Sequence, residues 1–277
     1  MATCTGWRCG RSRSPIRSRR SPTPPTPTTD RGSEARVTRL WAALLAPVIV
    51  PQGRRLSAAT PRLAAPTPEP DAAELADPRL EVLVLGDSTA IGTGVDRVED
   101  ALAAALARER GAGSGSGSES GDEAGFESGA VLALGRNGAT AAEVRAEFLD
   151  RAAASAASAV VVVVGWNDAM KLRPTRAFAR DLTTIVRTLQ AHRLGRRVIV
   201  VAPPHFERFA VLPQPLRCAL GAHAAGLRRT AARVCRTWGA TLAPGIDGAS
   251  ASPADRFHPD AAGYRRLAQG IAAALRE

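Results

Sequence analysis

From residue 80 onward, short apolar runs alternate with longer amphipathic stretches. Residues 80–85 and 129–134 read as short strands. Residues 159–164, with five consecutive valines, read as a central parallel strand buried on both faces. A further strand is expected at 197–202, and a weak one at 240–242. Between them the apolar positions recur at helical spacing, predicting helices over 97–110, 141–153, 175–192, 216–238 and 260–276. In the first of these, Val98, Leu102 and Leu106 fall on one face. The alternation predicts an α/β fold, a three-layer α/β/α sandwich around a central five-stranded parallel sheet. Sites in such sheets lie at the carboxyl ends of the strands.

The N-terminal portion follows no such alternation. Residues 1–36 are rich in Arg, Ser, Pro and Thr and carry too little apolar surface to offset the entropy of ordering, so they read as a disordered basic tail. Residues 40–50 form an eleven-residue apolar run within a segment, 37–56, that is membrane-attached or signal-like by pattern. The run is shorter than the roughly 20 residues of a membrane span. It has the length of a signal-peptide core, but a long arm precedes it and Arg54, Arg55 and Arg62 follow it. Initiation at Val37 would remove the first objection and make residues 1–36 an artefact of start-site assignment. The positive flank favours a membrane-attached segment at residues 40–50 over a cleaved one. Attachment or export is expected ahead of a cytoplasmic location. Residues 57–78 read as a Pro/Ala linker, which places the domain at 79–277. Inside it, the Gly/Ser-rich stretch 111–121 reads as a loop insertion, since one strand and one helix before it are too little to fold alone.

Charge changes the picture less than its total suggests. The chain carries a net +11, but residues 1–66 hold twelve Arg against Asp30 and Glu34, a net +10. The remaining residues are nearly neutral. With no zinc-finger spacing, RNA-binding aromatic motif or basic helix, a nucleic-acid partner is not expected. Lys171 is the only lysine, so the basicity reflects an arginine-rich composition. Cys4 and Cys9 lack partners for a metal site. Cys218 and Cys235 fall on one expected helix about 25 Å apart, too far for a disulfide.

Candidate chemistry sits at the strand ends. Gly86-Asp87-Ser88 follows the first strand and is expected to open a helix, where Ser88 taken alone reads as an N-cap. The glycines at 92 and 94 form no phosphate-binding motif. Gly138, in Arg136-Asn137-Gly138-Ala139-Thr140, follows the second strand and offers a close backbone N–H. Gly165-Trp166-Asn167-Asp168 ends the valine strand and alone reads as a turn. Asp255-x-x-His258 precedes the last helix. His192, His205 and His223 have no such neighbour and read as solvated or structural.

In order and spacing, these four blocks resemble those of the SGNH, or GDSL-type, hydrolase superfamily, over residues 80–276. The resemblance implies the flavodoxin-like SGNH fold. It implies Ser88 as nucleophile, His258 as general base and Asp255 as its orienting carboxylate. It also implies an oxyanion hole from the Ser88 and Gly138 N–H groups and the Asn167 amide. Asp87 and Asp168 would hold the loops, and the helix expected after Ser88 would aim its N-terminus at the reacting oxygen. No metal or cofactor is implied. Trp166 is bulky for its slot, and the Gly/Ser insertion is unusual. The implied substrate is a small-molecule ester or a lipid-like one, cleaved through an acyl-enzyme. Phe206, Phe209 and Leu212 would suit an acyl chain and Arg208 an anionic head group, which favours a carboxylesterase or lysophospholipase. A carbohydrate O-deacetylase of the same fold, or a catalytically idle binding module, is the alternative.

Overall fold

The valine run becomes the middle of the sheet because it has no polar face to offer water. In the computed structural model, which describes residues 47–56, 58–113, 131–248 and 254–277, five strands pair in parallel. They are β1 (Val82–Gly86), β2 (Val131–Gly135), β3 (Ala159–Val163), β4 (Arg197–Val201) and β5 (Thr241–Ala243), in the order β2-β1-β3-β4-β5. Gly86 pairs with Gly135 on one side and Val163 on the other, so β1, β2 and β3 end level with one another. The order reverses at β1, and the cleft it opens at the carboxyl edge is where open α/β sheets place their sites.

Alternate residues feed two cores. Leu83, Leu85, Val160 and Val162 join a cluster with residues of α4 (Ala141–Glu147), α5 (Leu149–Ala154), α7 (Thr175–His192) and α8 (Leu216–Trp238). Val82, Val84, Val161 and Val163 join another with α3 (Leu102–Gly113) and α9 (Ala261–Arg276). This is the expected three-layer arrangement. The face of α7 shows the helical period directly, with Phe178, Leu182, Ile185, Val186 and Leu189 all fully buried.

Several boundaries differ for local reasons. The helix expected over 97–110 is a 3-10 turn, Val98–Asp100, followed by α3. Ala101 is extended (φ −73°, ψ 166°), so the helical face restarts at Leu102 and Val98 is left 42% exposed. The helix expected over 141–153 breaks at Phe148 (φ −122°, ψ −17°). Helix α3 runs through Gly113, and residues 114–121 of the expected Gly/Ser loop lie outside the described residues. Cys218 and Cys235 are both free on the unbroken α8.

The stretch 57–78, expected as a linker, is packed on the domain where it is described. Helix α2 (Ala72–Ala76) is closed by a reciprocal Asp71/Glu74 capping box and buries Leu75 in the core. Upstream, the Leu63 carbonyl accepts a hydrogen bond from Asn137 Nδ2 at 3.0 Å. Residues 47–56 are helical (α1). Gln52 pairs with the backbone of the turn before α8, donating to Gln214 O at 2.7 Å and accepting from Leu216 N at 3.2 Å. Ile49 and Leu56 pack inward, whereas Val48 and Val50 are each 48% exposed. Among the described residues, no helix is long and apolar enough to cross a membrane. The tail 1–36 and residues 40–46 of the apolar run lie outside the described residues.

Candidate active site

Strand β1 delivers Asp87 and Ser88 to the carboxyl edge, and the Asp87 N–H continues the pairing by donating to Val163 O at 3.1 Å. The chain does not then enter a helix, as the sequence pattern suggested. Residues 88–94 form successive turns, closed by Ala90 N to Asp87 O (3.0 Å) and Thr93 N to Ser88 O (3.0 Å). Ser88 is therefore not a helix N-cap, and the helix expected to follow it is absent from residues 88–94. Gly94 explains part of this path. It has φ +109°, and a Cβ there would lie 2.7 Å from His258 Cβ, so a side chain would push the histidine away from the serine.

His258 arrives from the loop before α9. Its Nε2 lies 2.9 Å from Ser88 Oγ, and its Nδ1 is hydrogen-bonded to Asp255 Oδ2. The other carboxylate oxygen of Asp255 accepts from the Phe257 N–H (2.9 Å) and the His258 N–H (3.1 Å). Burial pushes the Asp255 carboxyl up, but the His258 hydrogen bond and these backbone donors outweigh it and hold the group below its ordinary value. An ionised carboxylate at Nδ1 fixes the tautomer that leaves Nε2 bare, facing the serine hydroxyl.

Three candidate donors are carried by the segments that follow β1, β2 and β3 at one end of the sheet. Among the described residues, the Ser88 and Gly138 N–H groups have no hydrogen-bond partner. The third is the Asn167 amide, at the start of α6 (Trp166–Met170). One of its two N–H bonds goes to Ala139 O at 3.0 Å, which orients the side chain towards the Gly138 loop.

Asp87 and Asp168 adjoin Ser88 and Asn167 in the chain, and both are buried. Asp87 is 1% exposed, and its carboxylate accepts the Thr89 N–H at 3.0 Å. Burial pushes it up to about 7. Asp168 is fully buried but paired. It accepts from the Ala141 N–H at the start of α4 (3.0 Å) and from Arg173 Nη1 (2.6 Å), while Arg173 Nη2 reaches Asp181 at 2.7 Å. Helix α6, and with it Asn167, is thereby tied to α4 and α7.

Sequence reasoning missed the residues that brace the Gly138 loop. Asn137 accepts from Thr93 Oγ1 at 2.6 Å and donates to Leu63 O. Tyr264 OH donates to Thr93 O at 2.6 Å. Arg136 Nη1 donates to Asn137 O (3.3 Å) and Lys171 Nζ to Gly138 O (3.2 Å). The Asn-Gly pair carried a turn signal, but its partners are 44 and 74 residues away in sequence. His205 pairs with Glu207 at 2.8 Å. Among the described residues, no three His, Cys, Asp or Glu side chains come together as metal ligands.

The loop after β4 corrects one expectation. Phe206, Phe209 and Leu212 are at most 2% exposed, so they do not line an open acyl groove. Half-buried Trp166 fills the position beside them. Its ring centroid is 4.6 Å from Phe206, 5.2 Å from Phe209 and 6.0 Å from Phe257. Arg208 is exposed.

Solved structures share this arrangement of strands and helices. A carbohydrate acetylesterase family member from Sinorhizobium meliloti superposes with a TM-score of 0.54 at 20% identity, covering 71% of this chain and 97% of that one. A psychrotrophic esterase from Pseudoalteromonas sp. gives a TM-score of 0.52 at 14% identity, covering 71% and 96%. A lipase/acylhydrolase from Enterococcus faecalis gives 0.51 at 20% identity, covering 71% and 95%. At such identities these likenesses establish the fold. No curated protein matches the sequence. The model of the GDSL-like lipase/acylhydrolase family matches residues 84–266, a span that begins in β1 and ends in α9 and so contains Ser88, Gly138, Asn167, Asp255 and His258. The chain belongs to that family.

Proposed function

We propose that this protein is a serine hydrolase that cleaves carboxylic esters through an acyl-enzyme. The observation that carries the reading is the continuous line Asp255–His258–Ser88. The Ser88 and Gly138 N–H groups, unpartnered among the described residues, and the Asn167 amide at the same end of the sheet support it as candidate oxyanion donors. Ser88 Oγ attacks the ester carbonyl carbon, and His258 Nε2 takes the hydroxyl proton. Asp255 stabilises the imidazolium. The carbonyl oxygen becomes an oxyanion and is met by the Ser88 and Gly138 N–H groups and by Asn167 Nδ2. Collapse breaks the bond to the alcohol, which leaves with the proton from His258. Water then repeats the sequence on the acyl-Ser88 ester and releases the acid.

Among finer readings, a carboxylesterase is retained. The carboxylesterase and lysophospholipase readings drew on Phe206, Phe209 and Leu212, whose burial removes that part of their support, and on the exposed Arg208 and the apolar run at 40–50, which still support them. A carbohydrate O-deacetylase requires only an acetyl-sized acyl site. We propose attachment to a membrane through residues 40–50 from the apolar composition of that run and the exposed Arg54 and Arg55 after it. Flotation of the full chain with anionic vesicles tests it, and a chain that stays with the soluble fraction refutes it.

The catalytic reading is tested with p-nitrophenyl acetate, butyrate and octanoate and with a fluorophosphonate probe. Hydrolysis and labelling that both vanish in Ser88→Ala are expected. A wild type inert to every ester and to the probe would leave a binding module, and a Ser88→Ala variant that still labels would move the nucleophile elsewhere.

A further inference from the structure

Resting on that reading, we infer that Trp166 closes the acyl side of the site and restricts this enzyme to short acyl groups, with acetyl esters favoured. The three donors fix where the carbonyl oxygen points. The alcohol oxygen must lie near His258 Nε2, which protonates it. On this reading the acyl chain runs past Asn167. Trp166 is next to Asn167 in sequence, just beyond the end of β3, and its ring meets Phe257, the neighbour of His258.

The ring is fixed there by its surroundings. Gly165 precedes it at φ +116°, and a Cβ at that position would lie 2.8 Å from Pro203, so the backbone of Trp166 is held against the loop after β4. Phe206 and Phe209 press on the ring from that loop, and Phe257 meets it edge-on at 78° from the loop carrying His258. All three phenyl rings are buried, with Phe257 the most accessible at 7%. The indole cannot swing inward without displacing them. Its half-buried edge is therefore the surface assigned to the first carbons of an acyl group, and it stands in the way of later ones.

A methylene seated in an apolar pocket raises affinity about fourfold. An enzyme with a true acyl groove therefore gains steeply from acetate to octanoate. Here kcat/KM should instead be highest for p-nitrophenyl acetate and at least about tenfold lower for octanoate. Trp166→Ala should raise the octanoate-to-acetate ratio by about a hundredfold, the gain from three to four newly seated methylenes. Trp166→Leu should raise it by a smaller factor. The same order should appear in labelling rates with ethyl and octyl fluorophosphonates.

The inference is overturned if wild type turns over octanoate as fast as acetate. It is also overturned if the variants change all three esters by one common factor, the mark of a packing defect. Should Trp166→Ala fail to fold, Trp166→Leu carries the test. A wild type that hydrolyses no ester and takes no phosphonate refutes the acyl-transfer reading itself, an outcome distinct from activity without chain-length selection.

Discussion

His258 Nε2 lies 2.9 Å from Ser88 Oγ, although 170 residues separate them. The contact depends on β1 and the loop before α9 meeting at one edge of the sheet, with Gly94 leaving room for the imidazole. Asp255 completes the line and determines which imidazole nitrogen carries the proton. Replacing it with Asn would present an amide N–H to Nδ1 and favour the tautomer protonated at Nε2, which cannot accept the serine proton. Asp255→Asn should lower kcat by about 10⁴ with little change in KM. Steady-state kinetics on the acetyl ester check it, and a loss under tenfold would mean that Asp255 does not set the tautomer.

Of the three proposed oxyanion donors, Asn167 is the one supplied by a side chain and so removable by substitution. Asn167→Ala should cost about 10²–10³ in kcat. Because Asn167 also donates to Ala139 O, the melting temperature should be measured alongside. A fold that melts as wild type does, with turnover cut by that factor, identifies a transition-state donor.

Asp87 makes stability depend on pH in an unusual direction. Its ordinary value is 3.8, and burial pushes it up to about 7 in the fold. Between about pH 4 and 7 the folded protein keeps a proton that the unfolded chain has released, so stability falls as pH rises through that window. Asp255 is held low in the fold and acts oppositely, with its contribution lost as pH drops below 4. Asp87→Asn should flatten the decline and melt several degrees above wild type at pH 8, while matching it near pH 4. Thermal melts from pH 4 to 8 would show this, and parallel curves for the two proteins would contradict it.

Arg173 neutralises two fully buried carboxylates, Asp168 and Asp181. Arg173→Met would leave both without their shared cation, although Asp181 keeps contacts to the more exposed Arg145 and Arg180. The expected loss is about 3–5 kcal/mol, the cost of breaking a buried ion pair from one side. Denaturant unfolding measures it, and a change under 1 kcal/mol would mean that the network contributes little.

The strands and most helices were legible because burial writes itself into local patterns. A strand covered on both faces must be apolar throughout, as 160–164 is, and a helix on a sheet shows its face every three or four residues, as α7 does. The four polar blocks were legible because the chemistry they resemble needs fixed residue types at strand ends. Other features depend on contacts between distant segments, and a local pattern does not encode those. Ser88 looked like a helix cap, yet turns bounded by glycines carry the chain past His258 instead. Residues 57–78 looked like a linker, yet Leu75 finds the core and Leu63 finds Asn137. Phe206, Phe209 and Leu212 looked like an acyl surface, because sequence reports that a residue is apolar but not whether its neighbours cover it. Composition and order along the chain therefore determined the fold class and the residue types of the site. Only the tertiary structure decided how they meet and that Trp166 stands against covered rings, since both depend on packing between loops far apart in sequence.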